Sequence, residues 1–404
     1  METYCGYAGA ILEIDLTHQR VCRIPLPETY AMQLLSGKAL AAQMMLDHTT
    51  GTETALSAEN IMVFTASLLT GTGAPGAERF DVGSLSPKDD LPAFSNCGGP
   101  FGLRLKQAGY DALLLKGACS RPSWLEISQD RVVFHDAGDL WGLGTGECRE
   151  RLTKLLDDHS FGSICIGPAG EHLVQFASLL ADSHSTGRAG FGAVLGRKQL
   201  KAITVMGHKK IPLHDPQAVS EVNRRWLEQL RRSASQQERT GFCPDCPLHC
   251  IRHRRNENPL LEELGMDAIA AEAVTGNTKD PELYRAIAFR RDIGAQLAEG
   301  TSVPKGNSGK RRNVCHARIA EAFGLGADSG EFCRNYTEAV CAFGQCMFTV
   351  NGLRPGMEEL PILPAVTAIT GKPIALEDLL NIGRHSRELE HNIRKRFEQK
   401  ITSA

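Results

Sequence analysis

The tightest constraint in this 404-residue chain is Cys243-Pro-Asp-Cys246-Pro-Leu-His-Cys250, with a further cysteine far downstream in Gly344-Gln-Cys346-Met347-Phe. Three thiolates so close in sequence reach three corners of one tetrahedron only if the backbone wraps tightly. Pro244 and Pro247 stiffen that wrap, because each ring fixes φ and removes a backbone donor. A fourth thiolate from a distant segment closes the shell, which is how proteins hold a [4Fe–4S] cube and move electrons singly. A structural zinc site is the rival, since zinc takes Cys₄ or Cys₃His and His249 and His253 stand near. Zinc frameworks usually repeat a C-x₂₋₄-C pair, and none follows here. The spacing favours iron–sulfur over zinc, with Cys243, Cys246, Cys250 and Cys346 as the metal ligands.

The length predicts two or three domains. The composition, 42% apolar and 23% charged, is that of a soluble globular protein, and a net charge of −2 argues against a nucleic-acid binder. The basic runs Arg252-His-Arg-Arg255 and Lys310-Arg-Arg312 read as solvated faces or anion contacts. The sequence holds 13 cysteines. With no secretion signal and no apolar run long enough to span a membrane, the expectation is a reduced, cytoplasmic protein. Cys22, Cys119, Cys148 and Cys165 sit in apolar contexts and read as small core residues.

Up to about residue 208 the chain reads as short strands divided by glycine-rich turns. Ile11–Asp15, Ile61–Phe64, Asp111–Leu115, Trp124–Ile127, Val132–Phe134, Ser163–Ile166 and Ala202–Val205 are strand-like, and Thr29–His48 and Gly146–Asp158 helical. Beyond Lys210, helical periodicity covers Val219–Ser233, Pro281–Gly300, Gly330–Phe343 and Leu376–Lys400. The expected fold class is α+β, with a β-rich, two-sheet domain over residues 1–208 and a mostly helical region over 209–404. No internal repeat is visible. Thr301–Arg312 reads as a loop. Its Gly306-Asn-Ser-Gly-Lys310 lacks the glycine spacing and the Ser or Thr of a phosphate loop. His385, Glu388 and His391 step around a helix axis, so a solvated face explains them better than a metal set.

Four segments of the first domain are rich in glycine: Leu69–Gly76 followed by Arg79, Ser95-Asn96-Cys-Gly98-Gly99, Ile166–Gly170, and Thr186-Gly-Arg188-Ala189-Gly190-Phe-Gly192. Glycine lets several amides approach one anion, and Arg79 and Arg188 add bidentate phosphate recognition. One anionic ligand gripped by several loops is the reading, although any single loop taken alone is better read as an ordinary strand turn. Gly190, Gly192 and Gly196 fit a dinucleotide fingerprint poorly.

Together these segments resemble the aldehyde:ferredoxin oxidoreductase family of tungsten- or molybdenum-dependent bis-pterin enzymes. The resemblance runs in order through Leu69-Thr-Gly-Thr-Gly-Ala-Pro75, Ser86-Pro87, Ser95–Gly99, Ala108-Gly-Tyr-Asp-Ala112, Asp136–Gly142, Ile166–Glu171 and Gly187–Ile203. Later it covers Ala288–Gly300, Cys315-His316-Ala-Arg318 and Cys341-Ala-Phe-Gly-Gln-Cys346, where Cys341 replaces an aspartate. The resemblance implies a tungstopterin or molybdopterin cofactor of two pterins, with Mg²⁺ bridging their phosphates, beside the [4Fe–4S] cluster. Arg79, Asn96, Gly98, Gly99, Arg188, Ala189, Gly190, Gly192, Asp267, Arg318 and Met347 would bind it. His316 would polarise an aldehyde and Glu262 or Glu263 activate water, giving a carboxylic acid. Electrons would leave to a ferredoxin or similar carrier, with a homodimer or a partner Fe–S subunit as the assembly.

This chain departs from the family between Lys210 and Arg318, where it is short. The family has both a Pro-Glu-x-Glu segment and an Asp-x-x-Gly-Leu-Asp pterin motif there. Here only Pro259-Leu-Leu-Glu262-Glu263-Leu-Gly265-Met-Asp267 remains, and it matches either one, so Glu262 or Glu263 stands as the catalytic carboxylate or Glu262 as the pterin-grip residue. Ser36-Gly-Lys38-Ala-Leu40 also replaces a Gly-Gly-Arg-Gly-Leu. The alternatives are a non-catalytic, trimmed paralogue serving electron transfer or scaffolding, and an Fe–S protein binding a nucleotide in the glycine loops.

Overall fold

A computed structural model of the chain describes residues 4–157, 160–182, 184–186, 189–233, 259–267, 270–271, 280–289, 330–346 and 360–401. The strands are β1 Ala10–Asp15, β2 Arg20–Pro25, β3 Met62–Ala66, β4 Arg79–Leu85, β5 Pro92–Gly98, β6 Ala112–Lys116, β7 Ser123–Ile127, β8 Val132–Asp136, β9 Gly162–Ile166, β10 Leu179–Ala181, β11 His184–Thr186 and β12 Leu200–Val205. Among them lie helices α1 Glu28–Met32, α2 Gly37–His48, α3 Pro100–Gln107, α4 Thr145–Leu156, α5 Pro168–Glu171 and α6 Phe191–Arg197. After β12 come α7 Pro216–Ser233, α8 Pro259–Glu263, α9 Pro281–Phe289, α10 Gly330–Ala342, α11 Ile362–Thr370 and α12 Leu376–Ile401. The α+β expectation holds, and residue 208 falls in the connection from β12 to α7. No helix among the described residues is long and apolar enough to cross a membrane.

The strands form two six-stranded sheets, ordered β2-β1-β6-β3-β4-β5 and β11-β10-β9-β12-β7-β8. Read from its other edge, the second order repeats the first. The strand directions repeat as well: β1 and β6 are parallel, as are β7 and β12, and every other pair is antiparallel. The domain is therefore one supersecondary unit built twice. The repeat is faint in the sequence but present. Phe101, Gly102, Leu105, Ala112 and Gly117 coincide with Phe191, Gly192, Leu195, Ala202 and Gly207 at one constant offset.

Side-chain alternation explains the layering. In β6, Leu113 and Leu115 pack toward the second sheet with Leu125, Ile127, Ile164 and Ile166. Ala112 and Leu114 face the other way, into a cluster with Leu40, Met45, Phe343 and Ile393. The centre of the first sheet is thus buried on both faces, which is why β6 reads as an unbroken apolar run. Each repeat has its own helical cover. Residues of α7, α10, α11 and α12 pack with the first, and residues of α8 and α9 (Leu261, Tyr284, Ile287) with the second.

Further expectations change. Cys22, read as a small core residue, is exposed on the edge strand β2. The single helix over Thr29–His48 is two, α1 and α2, because Leu34 takes φ 54° and Gly37 φ 51°. A side chain on Gly37 would come within 2.7 Å of the Ala342 carbonyl, so the chain must turn there to let α10 approach. The segments holding Arg79 and Asn96, read as ligand loops, are instead a paired hairpin, β4 and β5.

Lys198, 1% exposed, donates its ammonium to the Asn60 and Gly117 carbonyls and ties α6 to the first repeat. Burial pushes its pKa down to about 7. Between pH 7 and the unfolded value the unfolded chain holds the extra proton, so stability rises with pH across that window. Lys198→Met should lower stability by about 1–3 kcal/mol, leaving buried carbonyls unmet, and should flatten the rise between pH 7 and 10. Urea titrations at both pH values check this.

Candidate functional site

Arg79 and Asp81 lie two residues apart on β4 and so share one face, and Asn96 is the cross-strand partner of Asp81 on β5. The Asn96 carboxamide Nδ2 donates to Asp81 Oδ2 at 3.1 Å, and its Oδ1 accepts from Arg79 Nε. Arg79 Nη2 also donates to the Asn96 carbonyl at 3.5 Å. A side chain on Gly98 would sit 3.4 Å from Arg79 Nη1, so that glycine leaves room for the guanidinium. Burial opposes the Arg79 charge, but Cys346, Cys97, Cys341 and Asp81 outweigh it and hold the group cationic. Burial pushes Asp81 up to about 7 against its Asn96 bond and the cations Arg79 and Lys38. Lys38, in the first turn of α2, reaches Glu338 at 2.9 Å and also pairs with Glu390. The sequence reading omitted Asp81 and took Lys38 only as a departure from Gly-Gly-Arg-Gly-Leu, although the alternation Arg79-Phe-Asp81-Val in a strand signals both a polar and an apolar face.

Opposite Arg79, the end of α10 docks on the first repeat. Gly344, at φ 77°, and Gln345 turn the chain back with N–H bonds to the Cys341 and Val340 carbonyls, 2.9 and 3.0 Å. This is the glycine stop that follows many helices. Leu69 N–H then donates to the Phe343 carbonyl (3.2 Å), and Cys346 N–H to that of Gly76 (3.0 Å). The end of α8 does the same on the second repeat. Gly265, at φ 71°, and Met266 bond to the Glu262 and Leu261 carbonyls at 2.9 and 2.8 Å. Ala169 N–H donates to the Leu264 carbonyl and Asp267 N–H to that of Phe176, both at 3.0 Å. Glu262 therefore corresponds to Cys341, and Asp267 to Cys346. The ambiguous segment Pro259–Asp267 occupies the position of a loop-docking motif, paired by the fold's repeat with Cys341–Cys346.

Glycine turns also open helices at equivalent places, Gly98-Gly99 before α3 and Ala189-Gly190 before α6. Gly190 takes φ 78°, and a side chain there would meet the Gln175 carbonyl at 2.2 Å. Gly192 is pressed against the Ser178 carbonyl, which makes it a packing glycine within the helix. Asp182, 2% exposed, joins the first of these turns to β9: it accepts from Phe101 N–H at 3.2 Å and from Ser163 N–H at 2.9 Å. The Glu263 carboxylate accepts from Gly146 N–H (3.1 Å) at the start of α4, and the Glu262 carbonyl from Thr145 Oγ1 (2.9 Å). Asp267 is buried, and its Oδ1 accepts from Ala270 N–H. Cys243, Cys246, Cys250, Arg188, His316, Arg318 and Met347 lie outside the described residues. Among the described residues no group of three or more His, Cys, Asp or Glu is arranged to hold a metal ion.

The family model described as "Aldehyde ferredoxin oxidoreductase, N-terminal domain" matches residues 11–207. The first domain belongs to the aldehyde ferredoxin oxidoreductase family. The chain is 37% identical over 227 residues to the tungsten-containing aldehyde ferredoxin oxidoreductase of Thermococcus kodakarensis. That match takes in 56% of this chain and 38% of the relative, so it spans well under half of the relative's length. It is 28% identical over 273 residues to an aliphatic sulfonate oxidoreductase, WOR-like subunit, of Pyrococcus furiosus, covering 63% of this chain and 43% of that protein. Among solved structures, the active site complex BamBC of benzoyl coenzyme A reductase, in complex with 1,5-dienoyl-CoA, has a chain of the same fold. Its TM-score is 0.81 at 18% identity, over 98% of this chain and 90% of that one. The aldehyde ferredoxin oxidoreductase domain thus coincides with the doubled sheet unit, from β1 to just past β12.

Proposed function

We propose that this chain oxidises an aldehyde to a carboxylic acid at a tungsten or molybdenum bis-pterin centre and passes the electrons through one [4Fe–4S] cluster to a ferredoxin-like carrier. One observation carries the reading: the same helix-end dock is built twice, once on each repeat, beside equivalent glycine turns. A cofactor of two like halves fits such a pair of cradles. The donor chemistry fits as well, with a half-buried guanidinium at Arg79, a carboxamide at Asn96 and a buried carboxylate at Asp267.

In this reading Arg79, Asn96, Gly98, Gly99 and Met347 hold one pterin, and Arg188, Ala189, Gly190, Gly192 and Asp267 the other. Asn96 and Ala189 would hold the Mg²⁺ that accompanies the pterin phosphates. Cys243, Cys246, Cys250 and Cys346 bind the cluster. The bound metal centre supplies two-electron oxidation of a carbonyl carbon and the cluster single-electron transfer. His316 donates a hydrogen bond to the aldehyde oxygen, Arg318 offsets pterin charge, and a glutamate takes a proton from water. Glu262 or Glu263 is that base, and the Glu263 carboxylate is also committed to the start of α4.

The second reading, a non-catalytic paralogue, is favoured by that same commitment, because both glutamates belong to a docking motif. Metal analysis of anaerobically purified protein separates them. The expected result is about four irons and one tungsten or molybdenum per chain. Iron without the heavier metal would leave the electron-transfer or scaffold reading, and zinc without iron would sink both.

A further inference from the structure

We propose that the cavity between β2 and the β7–β8 turn binds a mononucleotide-sized phosphomonoester, its phosphate held between Arg23 and Lys209. The cavity, about 560 Å³, lies at the β2 edge of the first sheet, whereas the β4–β5 hairpin forms the other edge. It therefore stands apart from the candidate site and depends on none of the cofactor assignments. Leu12, which lines it, belongs to the inter-sheet core and is the cross-strand partner of Arg23. Val21 and Arg23, two residues apart on β2, share the face that lines it. Val132, which opens β8, adds a further apolar surface.

Two cations converge there. A side chain on Gly109 would come within 3.3 Å of Lys209 Nζ and 3.8 Å of Arg23 Nη2, so both reach one point that the glycine leaves open. The main chain brings Lys209 to it. Its N–H donates to the Gln107 carbonyl at 2.9 Å, and a side chain on Gly207 would meet Ala108 N at 2.1 Å. Arg23 lies over the Tyr110 ring, its guanidinium carbon 5.9 Å from the centroid. Gly109 also stops α3, with φ 101° and its N–H on the Lys106 carbonyl. That role explains the glycine but not why two like charges meet beside it. Among the described residues neither Arg23 nor Lys209 forms an ion pair, whereas Arg131, at the same cavity, pairs with Glu126 at 3.0 Å.

Two uncompensated positive charges at one point match the two negative charges of a phosphomonoester, and the arginine supplies paired donors. Burial raises the Tyr110 pKa against the pull of Arg23, and Asp130 adds to the rise, so the phenol keeps its proton and can donate. Asp130 also lines the cavity. A carboxylate there repels a second anionic group and accepts from a neutral polar one, so the ligand carries its charge at one end. The apolar side chains seat the uncharged body, and the volume falls within the roughly 300–1000 Å³ of small-molecule sites.

Isothermal titration calorimetry of the full chain with AMP, adenosine, inorganic phosphate and succinate tests this. A single AMP per chain should bind, with a Kd below about 1 mM. Adenosine should give no measurable binding, and phosphate and succinate should bind at least about tenfold more weakly than AMP. Arg23→Gln and Lys209→Gln should each weaken AMP about tenfold. Both side chains are exposed, so the thermal midpoint should not move. Arg20→Gln, on the other face of the same strand, should leave binding unchanged. AMP that fails to bind, or that binds the Arg23→Gln/Lys209→Gln variant as well as wild type, overturns the proposal. Adenosine matching AMP overturns the phosphate contact, and phosphate or succinate matching AMP overturns the phosphomonoester class. A crystal structure of the AMP complex should place the phosphate between Arg23 and Lys209, and a phosphate seated elsewhere refutes the site even where the variants weaken binding.

Discussion

Lys201→Met should cost the fold about 3–5 kcal/mol, the penalty for removing one partner of a buried ion pair. Lys201 and Glu171 meet at 2.5 Å with side chains 0% and 1% exposed. Glu171 also accepts from Gly142 N–H at 2.9 Å, and Lys201 donates to the Leu143 carbonyl at 2.7 Å. The pair thus ties β12 to α5 and to the turn before α4. Lys201 reaches this pocket because the register with β7 slips between Leu200 and Ala202, an extra residue that re-aims a side chain as bulges do. Leu200 and Ile203 stay in the inter-sheet core while Ala202 packs on α4 with Cys148 and Leu152. With Lys201 gone, a buried carboxylate remains unpaired. Lys201→Met/Glu171→Leu should recover most of the loss and stay about 1–3 kcal/mol short, because Gly142 N–H and the Leu143 carbonyl lose their partners. Guanidinium titrations of both single variants and the double give the coupling. An additive double would mean the two side chains act independently.

This pair also shows what a sequence conceals. The strands around it, β7, β9 and β12, are legible because Trp124–Ile127, Ser163–Ile166 and Ala202–Val205 are short apolar runs between turns, and burial on both faces produces such runs. A lysine that opens one of them carries no mark of being the least exposed charge in its neighbourhood. The β4–β5 hairpin was obscured for a related reason. Its inward face holds Arg79, Asp81 and Asn96, so it reads as a polar, glycine-rich loop, although Phe80 and Val82 alternate with those residues into the core. Site chemistry on a strand disguises the strand. The family resemblance, carried by motifs along the first 208 residues, agrees with the family match over 11–207. Motif order says nothing of how Pro259–Asp267 divides between a pterin grip and a catalytic segment. That division became visible only from the second dock, through hydrogen bonds repeated at both helix ends. Those bonds involve backbone atoms, which leave few traces in side-chain identity beyond the shared glycine.

Gly344→Ala should be the most damaging conservative change near the proposed cluster, at about 2–5 kcal/mol, combining left-handed backbone strain with crowding. At φ 77° an added Cβ would sit 2.3 Å from Ser67 Cβ and 2.7 Å from Ser67 Oγ, distances that real contacts do not show. Because Cys346 follows two residues later on the same turn, the iron content per chain should fall together with the thermal midpoint. Ser67→Gly offers a clean reversal. Ser67 Oγ is buried without a hydrogen-bond partner, and the Ser67 carbonyl that receives Lys106 Nζ at 2.6 Å is main chain. Gly344→Ala/Ser67→Gly should therefore regain the crowding part, about 1–3 kcal/mol, and keep the strain. The equivalent change on the other repeat has no such remedy. A Cβ on Gly265 would meet Gly167 backbone atoms at 2.7 and 3.0 Å, and the residue facing it is already glycine. Gly265→Ala should thus resist second-site rescue while leaving iron bound. The contrast separates the two docks, one tied to the cysteine and the other to Asp267. If Gly265→Ala strips iron as fully as Gly344→Ala does, the docks do not serve separate cradles, and the pairing of Asp267 with Cys346 carries no functional meaning.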